Sequence, residues 1–294
     1  MMWTFESIRT RIAGFTRNAG FACGAEFAHA AGRVRTPAIV LGAILAGAAA
    51  VPESVAAQDF QWRGRLEAGR TLEVKGVLGG IRAVPTDGDE IEIEAVKTAR
   101  RSDPEEVRFE VVEHRDGVTI CAVYPDVPGE RRNVCAPGDG GRMSTRNNDV
   151  NVEFTVRVPR TVRLEARTVN GGVHAESLHG DVVAATVNGD IEVSTAGTAR
   201  ARTVNGSIRA ALGRIDGSGD VAFETVNGGI TIELPADAGA DVRARTVNGG
   251  ISTDFPLQVE GRFNRRRLRG TIGSGGPELS LSTVNGAIRI RKAS

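Results

Sequence analysis

Residues 164–173 read LEARTVNGGV, and the four-residue motif Thr-Val-Asn-Gly within this stretch recurs through the second half of the chain. Spacings of 18, 17, 22, 21 and 37 residues separate its copies, the last spacing being close to two periods. Repetition at such a period is the sequence signature of stacked structural units. The six copies occupy residues 168–171, 186–189, 203–206, 225–228, 246–249 and 283–286.

Apolar and polar residues alternate on both sides of each motif. Before it, apolar residues lie four and two positions ahead of the threonine, as Leu164 and Ala166 do around Glu165. This alternation is typical of half-buried strands. After it, the next apolar residue lies five positions beyond the threonine, an odd offset that one straight strand cannot span without turning it to the wrong face. The motif is therefore predicted to be a corner between two strands.

Asparagine and glycine are suited to such a corner, since glycine takes positive φ without steric cost and asparagine tolerates it. We predict an all-β fold, a single-stranded β-solenoid with coils of about 18–22 residues, in which stacked asparagines form a ladder of side-chain amides. Antiparallel meandering strands are the alternative, because Asn-Gly also forms hairpin turns. The predicted structural corner residues are Asn170, Gly171, Asn188, Gly189, Asn205, Gly206, Asn227, Gly228, Asn248, Gly249, Asn285 and Gly286.

Weaker copies extend the pattern beyond the six motifs. Residues 77–81 and the alternating residues 90–94 are predicted to be further coils or flanking strands, and residues 270–276 to be a degenerate copy filling the long gap. We therefore divide the mature chain into two regions. Residues 58–160 are predicted to be an N-terminal β region that contains the first coils and an irregular cysteine-containing loop. Residues 161–294 are predicted to be the repeat solenoid.

An apolar run, AIVLGAILAGAAAV at 38–51, follows Arg33 and Arg35 and precedes the small residues Ala56 and Ala57. This order is typical of a secretory signal peptide, so residues 1–57 are predicted to be a leader, with translation starting near residue 34 as one interpretation of its length. A retained anchor is the alternative, although 14 residues are short for a membrane-spanning helix. We expect export to the periplasm or the cell surface of a bacterium.

Cleavage after Ala57 would remove five arginines and three acidic residues, leaving a nearly neutral protein. Nucleic acid is therefore not an expected partner, because its binding requires a basic excess on one face. The exception is the basic cluster of Arg265, Arg266, Arg267 and Arg269. One interpretation is a solvated loop bulging from the stack. The other is a patch for an anionic surface such as lipopolysaccharide, teichoic acid or phospholipid head groups, with peripheral membrane contact.

The mature chain retains two cysteines, Cys121 and Cys135, whereas Cys23 belongs to the leader. In an oxidising compartment these two are predicted to form a disulfide. No second cysteine or histidine pair stands at ligand spacing, so neither a metal site nor a cofactor is predicted.

Enzymatic chemistry has few candidate groups. The carboxylates Asp181, Asp190 and Asp220 each follow a glycine at a corner, where aspartate is the expected turn residue. Aromatic residues that could stack on sugars are few. We therefore assign no catalytic residue and expect a protein that is not an enzyme. A glycan-active lyase or hydrolase built on the same fold is the alternative.

The repeated Thr-Val-Asn-Gly, the step Thr253-Asp254-Phe255-Pro256 and the closing segment 270–288 resemble a bacterial β-strand-repeat family of unknown function, provisionally labelled adhesin. The resemblance runs from about residue 70 to the C-terminus. It implies an exported or membrane-attached β-solenoid without assigned enzymatic activity, and it transfers no catalytic residue. The adhesin label itself rests on analogy of fold.

Together these observations predict an exported, non-catalytic scaffold or interaction protein. Its expected partner is an envelope component, a surface polymer or another protein. A glycan-active enzyme is the first alternative and an accessory protein of envelope stress the second.

Overall fold

The computed structural model describes residues 59–213, 221–259 and 265–293. The predicted leader and Asp220 lie outside these ranges. Within them the chain is all-β, with two short 3-10 turns at Pro104–Glu106 and Gly138–Gly140 and no α-helix. None of the described helical segments has the length and apolar character needed to span a membrane.

Seven strands precede the repeats. They are β1 (Asp59–Arg65), β2 (Thr71–Lys75), β3 (Ile81–Thr86), β4 (Glu90–Thr98), β5 (Arg108–His114), β6 (Gly117–Val123) and β7 (Asn151–Pro159). A long loop, residues 124–150, connects β6 to β7 and carries Cys135.

The repeats supply the remaining strands, with one strand before each Thr-Val-Asn-Gly motif and another after it. They are β8 (Arg163–Arg167), β9 (Val173–Leu178), β10 (Val182–Ala185), β11 (Ile191–Thr195), β12 (Ala199–Arg202), β13 (Ile208–Leu212), β14 (Val221–Glu224), β15 (Ile230–Leu234), β16 (Ala240–Asn248), β17 (Ile251–Thr253), β18 (Leu257–Val259), β19 (Arg267–Ile272), β20 (Glu278–Asn285) and β21 (Ile288–Lys292).

These strands form two mixed sheets. Sheet A has the order β1-β4-β7-β3-β9-β11-β13-β15-β21-β17, and sheet B has the order β18-β19-β16-β20-β14-β12-β10-β8-β2-β6-β5. The strand before each motif lies in sheet B and the strand after it in sheet A, so the chain crosses between the sheets at every motif. The motif is thus a corner, as the odd offset of five predicted.

Within the repeats, pairing is parallel and brings equivalent positions together. Val182 lies opposite Leu164 and Ala199 in sheet B, and Ile191 lies opposite Val173 and Ile208 in sheet A. A meander of antiparallel hairpins, the alternative interpretation, does not describe this region. Antiparallel pairs occur at the ends, where β1, β4 and β5 flank the first coils and β18 and β19 flank the last.

The gap of 37 residues was predicted to hold a degenerate coil, and this was wrong. Residues 267–272 instead form β19, which pairs antiparallel with β16 at the edge. The chain then returns, and β20 inserts between β14 and β16. The last motif in sequence is therefore an interior coil of the stack, and the motif at 246–249 lies nearer the end. The alternation of apolar and polar residues in this segment predicts a strand, as observed, but not whether the strand pairs parallel or antiparallel.

Residues 77–81 form the corner of an additional coil made of β2 and β3. Leu78 forms a bridge with Asn170, and β2 and β3 pair in parallel with β8 and β9. Here too the chain order differs from the spatial order, because β2 and β3 lie between the coil of β6 and β7 and the first motif coil. Both ends of the stack thus contain an inserted coil.

The core is a thin layer of aliphatic side chains between the sheets. One continuous cluster of buried residues joins all the coils, with rows such as Leu164, Val182 and Val221 facing rows such as Ile191, Ile208 and Ile230. The ring of Phe223 lies within it, fully buried. Small β-branched residues suit a narrow interior whose strands have only two or three inward positions.

The threonine of every motif is buried and joins neighbouring coils. Thr186 donates its hydroxyl hydrogen to the carbonyl oxygen of Gly171 at 2.9 Å, and Thr225 donates to that of Gly206 at 2.8 Å. Apolar alternation alone does not predict this role for the threonines. The same bond is made by Thr168, Thr203, Thr246 and Thr283.

The prediction that the corners need positive φ was wrong. The six Asn-Gly pairs all lie in the described ranges, and none of their residues is among those with positive φ. The glycine is required by contact between backbones. A Cβ on Gly228 would lie 1.9 Å from the carbonyl oxygen of Gly206, and one on Gly189 would lie 2.0 Å from that of Gly171. Stacked corners approach too closely for any side chain at this position.

Candidate functional site

The asparagines of the motifs form a continuous ladder along one edge of the stack. Asn188 donates an amide hydrogen to the side-chain oxygen of Asn170 at 2.7 Å, and each later asparagine does the same to its neighbour. The order follows space, so Asn285 bonds to Asn227 and Asn248 bonds to Asn285, each at 2.8 Å. These amides are engaged with one another, which gives the predicted corner residues a structural role.

Cys121 and Cys135 are joined in a disulfide. Cys121 lies on the outer face of β6, where Lys75 of β2 is its register partner. The bond therefore fastens the loop 124–150 against the outer face of sheet B. Val123 and the two cysteines form a small second hydrophobic cluster beneath it.

Under this loop lies a cluster of charged side chains that strand alternation would place in solvent. Glu73 and Lys75 occupy outward positions of β2, yet both are buried, as is Thr119 of β6. The Lys75 ammonium lies 3.0 Å from a Glu73 carboxylate oxygen and donates to the carbonyl oxygens of Ala136 and Gly138 at 2.6 Å each. We call this part of sheet B, formed by β2, β6 and β8, the covered half.

The other charges of the covered half are also satisfied within it. Glu73 accepts hydrogen bonds from the Thr119 hydroxyl at 2.8 Å and from the Gly138 backbone at 3.0 Å. Arg167 forms ion pairs with Glu165 and with Asp139 of the loop. Burial lowers the pKa of Lys75, and the neighbouring Glu73 opposes that shift. This cluster holds the loop in place and offers no open chemistry to a ligand.

Beyond β10 the outer face of sheet B is open. Five strands lie here, in the spatial order β12, β14, β20, β16 and β19, and each contributes one residue to each of two adjacent outward rows. Arginines occupy both rows on three of these strands. We call these two rows the basic track and this part of sheet B the open half. The arginines of the track are Arg200 and Arg202 on β12, Arg243 and Arg245 on β16, and Arg267 and Arg269 on β19.

Four of these arginines form a square. In the antiparallel pair of β16 and β19, Arg243 lies opposite Arg269, and Arg245 lies opposite Arg267. All four are exposed. Neighbouring strands are separated by about 4.8 Å, and positions i and i+2 on one strand by about 7 Å. Like charges directly opposite each other tend to destabilise a sheet, and the square places two such pairs side by side.

Small polar residues and an acidic border surround the square. Ser280 and Ser282 of β20 lie opposite Arg243 and Arg245 on the other side of β16. Two residues before Arg243 and Ser280, at the next outward position, Asp241 and Glu278 lie in register. Glu278 contacts Arg243 at 3.2 Å. The track is therefore bounded on one side by negative charge.

The predicted patch of Arg265, Arg266, Arg267 and Arg269 is not a loop bulging from the stack, because Arg267 and Arg269 belong to β19. Arg265 and Arg266 precede that strand, and their carbonyl oxygens accept hydrogen bonds from Ile251 and Thr246. The structure thus brings only two of the four predicted residues into the square.

Arg243 and Arg245 were not predicted to belong to a site. Their signal is in the repeat itself, because the two outward positions before the threonine are both arginine in only two of the six copies, 200–202 and 243–245. What the sequence did not reveal is that β19 lies beside the second of these.

The outer face of sheet A offers a comparison. Its charges alternate in sign and pair with one another, as Arg82 does with Glu176 at 2.6 Å and Arg209 with Glu192 at 2.8 Å. His174 also faces Glu192, at 3.4 Å. On the open half of sheet B, Arg202 pairs with Glu224 and Arg243 with Glu278, but arginines outnumber the carboxylates beside them.

Two of the three candidate catalytic carboxylates, Asp181 and Asp190, lie in the described ranges, and both accept hydrogen bonds from the next coil. Asp181 accepts hydrogen bonds from the Thr198 backbone at 3.0 Å and hydroxyl at 2.8 Å, and it faces Arg163 at 3.4 Å. Asp190 accepts a 2.7 Å bond from the Ser207 backbone. Both contacts join consecutive coils, whereas the sequence predicted only a local role in the turn for these residues.

Residues 143–291, just over half of the chain, match the family model described as Toastrack DUF4097. No curated protein matches the sequence. A Clostridium sporogenes structure, provisionally named a cell adhesion protein, is 14% identical, with a TM-score of 0.45 over 80% of this chain and 100% of that one. A Bacteroides fragilis structure, provisionally named an adhesin, is 13% identical, with a TM-score of 0.39 over 80% of this chain and 97% of that one.

Proposed function

Since the chain belongs to the Toastrack DUF4097 family, we propose that it is an exported, non-catalytic scaffold that contacts an envelope component or surface polymer through the open half of sheet B. The repeat region is, on this proposal, a β-solenoid. Parallel pairing of equivalent positions and the asparagine ladder support that description.

The observation that carries the proposal is the basic track. Its arginines stand on strands whose inward residues are locked in the core, so their backbone positions are fixed before any partner arrives. Prepositioned groups lose less conformational freedom on binding. A face of this kind favours a repeated, charged surface as partner over a small molecule, which would require a concave pocket.

Two features support export. The first is the apolar run at 38–51, which lies outside the described residues and keeps its interpretation as a signal peptide. The second is the bond between Cys121 and Cys135, since disulfides persist in oxidising compartments. A periplasmic or cell-surface location follows from the proposal.

The absence of catalysis is part of the proposal and is supported by the use of the carboxylates. Asp181 and Asp190 are committed to hydrogen bonds between coils. A glycosidase needs two carboxyl groups whose environments separate their pKa values across a sugar-binding groove. The track instead offers cations.

Binding of the purified mature protein, residues 58–294, to isolated envelope fractions and to polysaccharides tests this function. The amount bound and the length of the polymer are followed in the same samples. We expect saturable binding with polymer of unchanged length. Shortened polymer would replace the scaffold by a glycan-active enzyme, and no binding to any fraction would direct the search to protein partners.

A further inference from the structure

We propose that the basic track binds a linear polymer whose repeating units carry phosphate, lying along the stack and across the strands; this partner class rests on the proposed function. The starting observation is the square of Arg243, Arg245, Arg267 and Arg269. The geometry of the sheet places the backbone positions of these four exposed arginines about 5 to 7 Å apart. Such a square places several positive charges within reach of one short run of anions.

Guanidinium groups are suited to phosphate. Each presents a planar fork of N–H donors that matches two oxygens of a phosphate, and its charge is retained at any physiological pH. Ser280 and Ser282 lie beside the square and add hydroxyl donors with little bulk. A chain of phosphates that crosses the strands would therefore meet these hydroxyls on β20 directly before the arginines of β16 and β19.

The shape of the track favours a chain over a plane. Five strands separated by about 4.8 Å give it a length of about 19 Å, and two outward positions give it a width of about 7 Å. Asp241 and Glu278 border it on one side. A flat membrane resting on this face would meet both carboxylates of the border, whereas a chain lying along the stack passes beside that border and meets one carboxylate within the track, Glu224.

The side chains of the track also disfavour recognition of neutral sugars. Its outward positions carry arginine, serine, alanine and glutamate, and the alanine and glutamate are Ala222 and Glu224 of β14. Aromatic rings, on which sugar rings and nucleic acid bases stack, are not among the ten residues of these two rows. Attraction must therefore come from charge, and the partner must be an anion.

The test uses long-chain inorganic polyphosphate as the probe. Its binding to the mature protein is titrated over a series of salt concentrations. The track variant carries serine at Arg243, Arg245, Arg267 and Arg269. The control variant carries serine at four exposed arginines of sheet A and changes the net charge equally: Arg82, Arg209, Arg289 and Arg291. Circular dichroism and thermal unfolding confirm that both variants are folded.

We expect the track variant to lose at least about tenfold in affinity, with a salt dependence shallower by about 3 in the slope of log K against log salt. The control variant should keep its affinity within about twofold, since it removes only general attraction. An equal loss in both variants would show that net charge alone attracts polyphosphate, and would overturn the proposal.

Three further probes separate the alternatives. Alginate presents carboxylates in place of phosphates, and its binding as tightly as polyphosphate would overturn the preference for phosphate. Vesicles of phosphatidylglycerol and phosphatidylcholine in equal parts present phosphate as a plane, and tighter binding to them would replace the polymer by a membrane. Neutral dextran should not bind, and binding of dextran that the track variant retains would place recognition elsewhere.

The outcomes for this proposal and for the proposed function remain distinguishable. Loss of polyphosphate binding in the track variant, with unchanged binding to envelope fractions, would leave the scaffold function standing and remove the track as its site. A wild-type protein that binds polyphosphate through the track but no envelope fraction would retain the phosphate site and refute the scaffold function.

Discussion

The covered and open halves of sheet B use equivalent positions for opposite purposes. Lys75 and Arg245 lie in the same row of outward-facing residues, which runs across the strands of sheet B. They belong to coils near opposite ends of the stack. Lys75 is buried under a loop and satisfied by Glu73 and two carbonyl oxygens. Arg245 is exposed beside another arginine. The same outward row thus holds the loop 124–150 against the sheet at one end of the stack and forms an accessible cationic surface at the other.

The difference lies in what is placed above each face. Over the covered half, the loop 124–150 supplies carbonyl oxygens, a carboxylate and a disulfide to the groups beneath it. Over the open half, β16 and β19 place arginines opposite arginines. A buried charge is tolerated only when it is paired, whereas water solvates an exposed one, so its ion pairs contribute little to stability. Stability should therefore depend on the first half and binding on the second.

The largest effect should come from breaking the stack that supports both halves. Replacing Gly228 by alanine puts a Cβ 1.9 Å from the carbonyl oxygen of Gly206, so the two coils must separate. We expect a loss of more than about 4 kcal/mol in the free energy of unfolding, or failure to fold. Urea denaturation of the purified variant measures it.

Gly250 provides the control, because a Cβ there would meet no atom within 4 Å. Its replacement by alanine should change stability by less than about 0.5 kcal/mol. Equal, small losses at Gly228 and Gly250 would contradict the close stacking of corners. Gly286, being interior, should behave like Gly228, since its Cβ would lie 1.9 Å from the Gly228 oxygen.

The next largest loss of stability is expected from removing a cation of the covered half, and the same change in the open half should cost much less. Lys75→Met keeps the side chain's bulk but removes the cation, leaving Glu73 and two buried carbonyl oxygens without that partner. We expect a loss of about 3 to 5 kcal/mol, the usual result of breaking a buried ion pair. Arg245→Met, at the equivalent register position, should cost less than about 1 kcal/mol.

Urea denaturation of both variants measures this contrast in the free energy of unfolding. The dependence of that free energy on urea concentration is compared between the variants. Polyphosphate binding provides the reverse readout, since Arg245→Met should weaken it and Lys75→Met should not. Similar stability losses in both variants would mean that the open half is also held by its charges.

A smaller effect should follow from releasing the loop of the covered half. Replacing Cys121 and Cys135 by serine removes a bond that closes a loop with a sequence separation of 14. On the chain-entropy account the loss is about 3 kcal/mol, reduced by the hydrogen bonds that still hold the loop. Thermal unfolding of the double variant measures it. Unchanged polyphosphate affinity is the expected control, and a marked fall in affinity would mean that the loop also shapes the open half.

The sequence predicted the repeated part of the fold well because each coil makes the same local choices. Alternation before and after each Thr-Val-Asn-Gly, together with the odd offset between them, predicts corners, and the short repeat period favours stacking over the antiparallel alternative. The ladder from Asn170 to Asn248 follows from that stacking. Local pattern does not, however, say in which order coils are added, so the insertion of β20 between β14 and β16 could not be inferred.

The site was predicted less well, because its members come from distant parts of the chain. Arg267 and Arg269 were recognised as a basic cluster, but their neighbours Arg243 and Arg245 enter only through the antiparallel return of β19. The burial of Glu73 and Lys75 depends on residues 136–139, more than sixty positions away. Nothing in the alternation of β2 distinguishes those positions from exposed ones.

The smallest predicted effect tests whether the arginine square itself strains the sheet. Arg245 and Arg267 face each other across β16 and β19, so a double-mutant cycle with serine at each should give a repulsive coupling of about 0.2 to 1 kcal/mol. Raising the salt concentration should reduce this coupling, because both groups are exposed. Urea denaturation of the wild type, the two single variants and the double variant measures the coupling. A favourable or salt-independent coupling would mean that these side chains stabilise the fold by packing. A repulsive coupling would mean that the fold retains a destabilising pair of cations. A bound polyanion would relieve that repulsion, and its binding free energy would gain by up to the coupling energy.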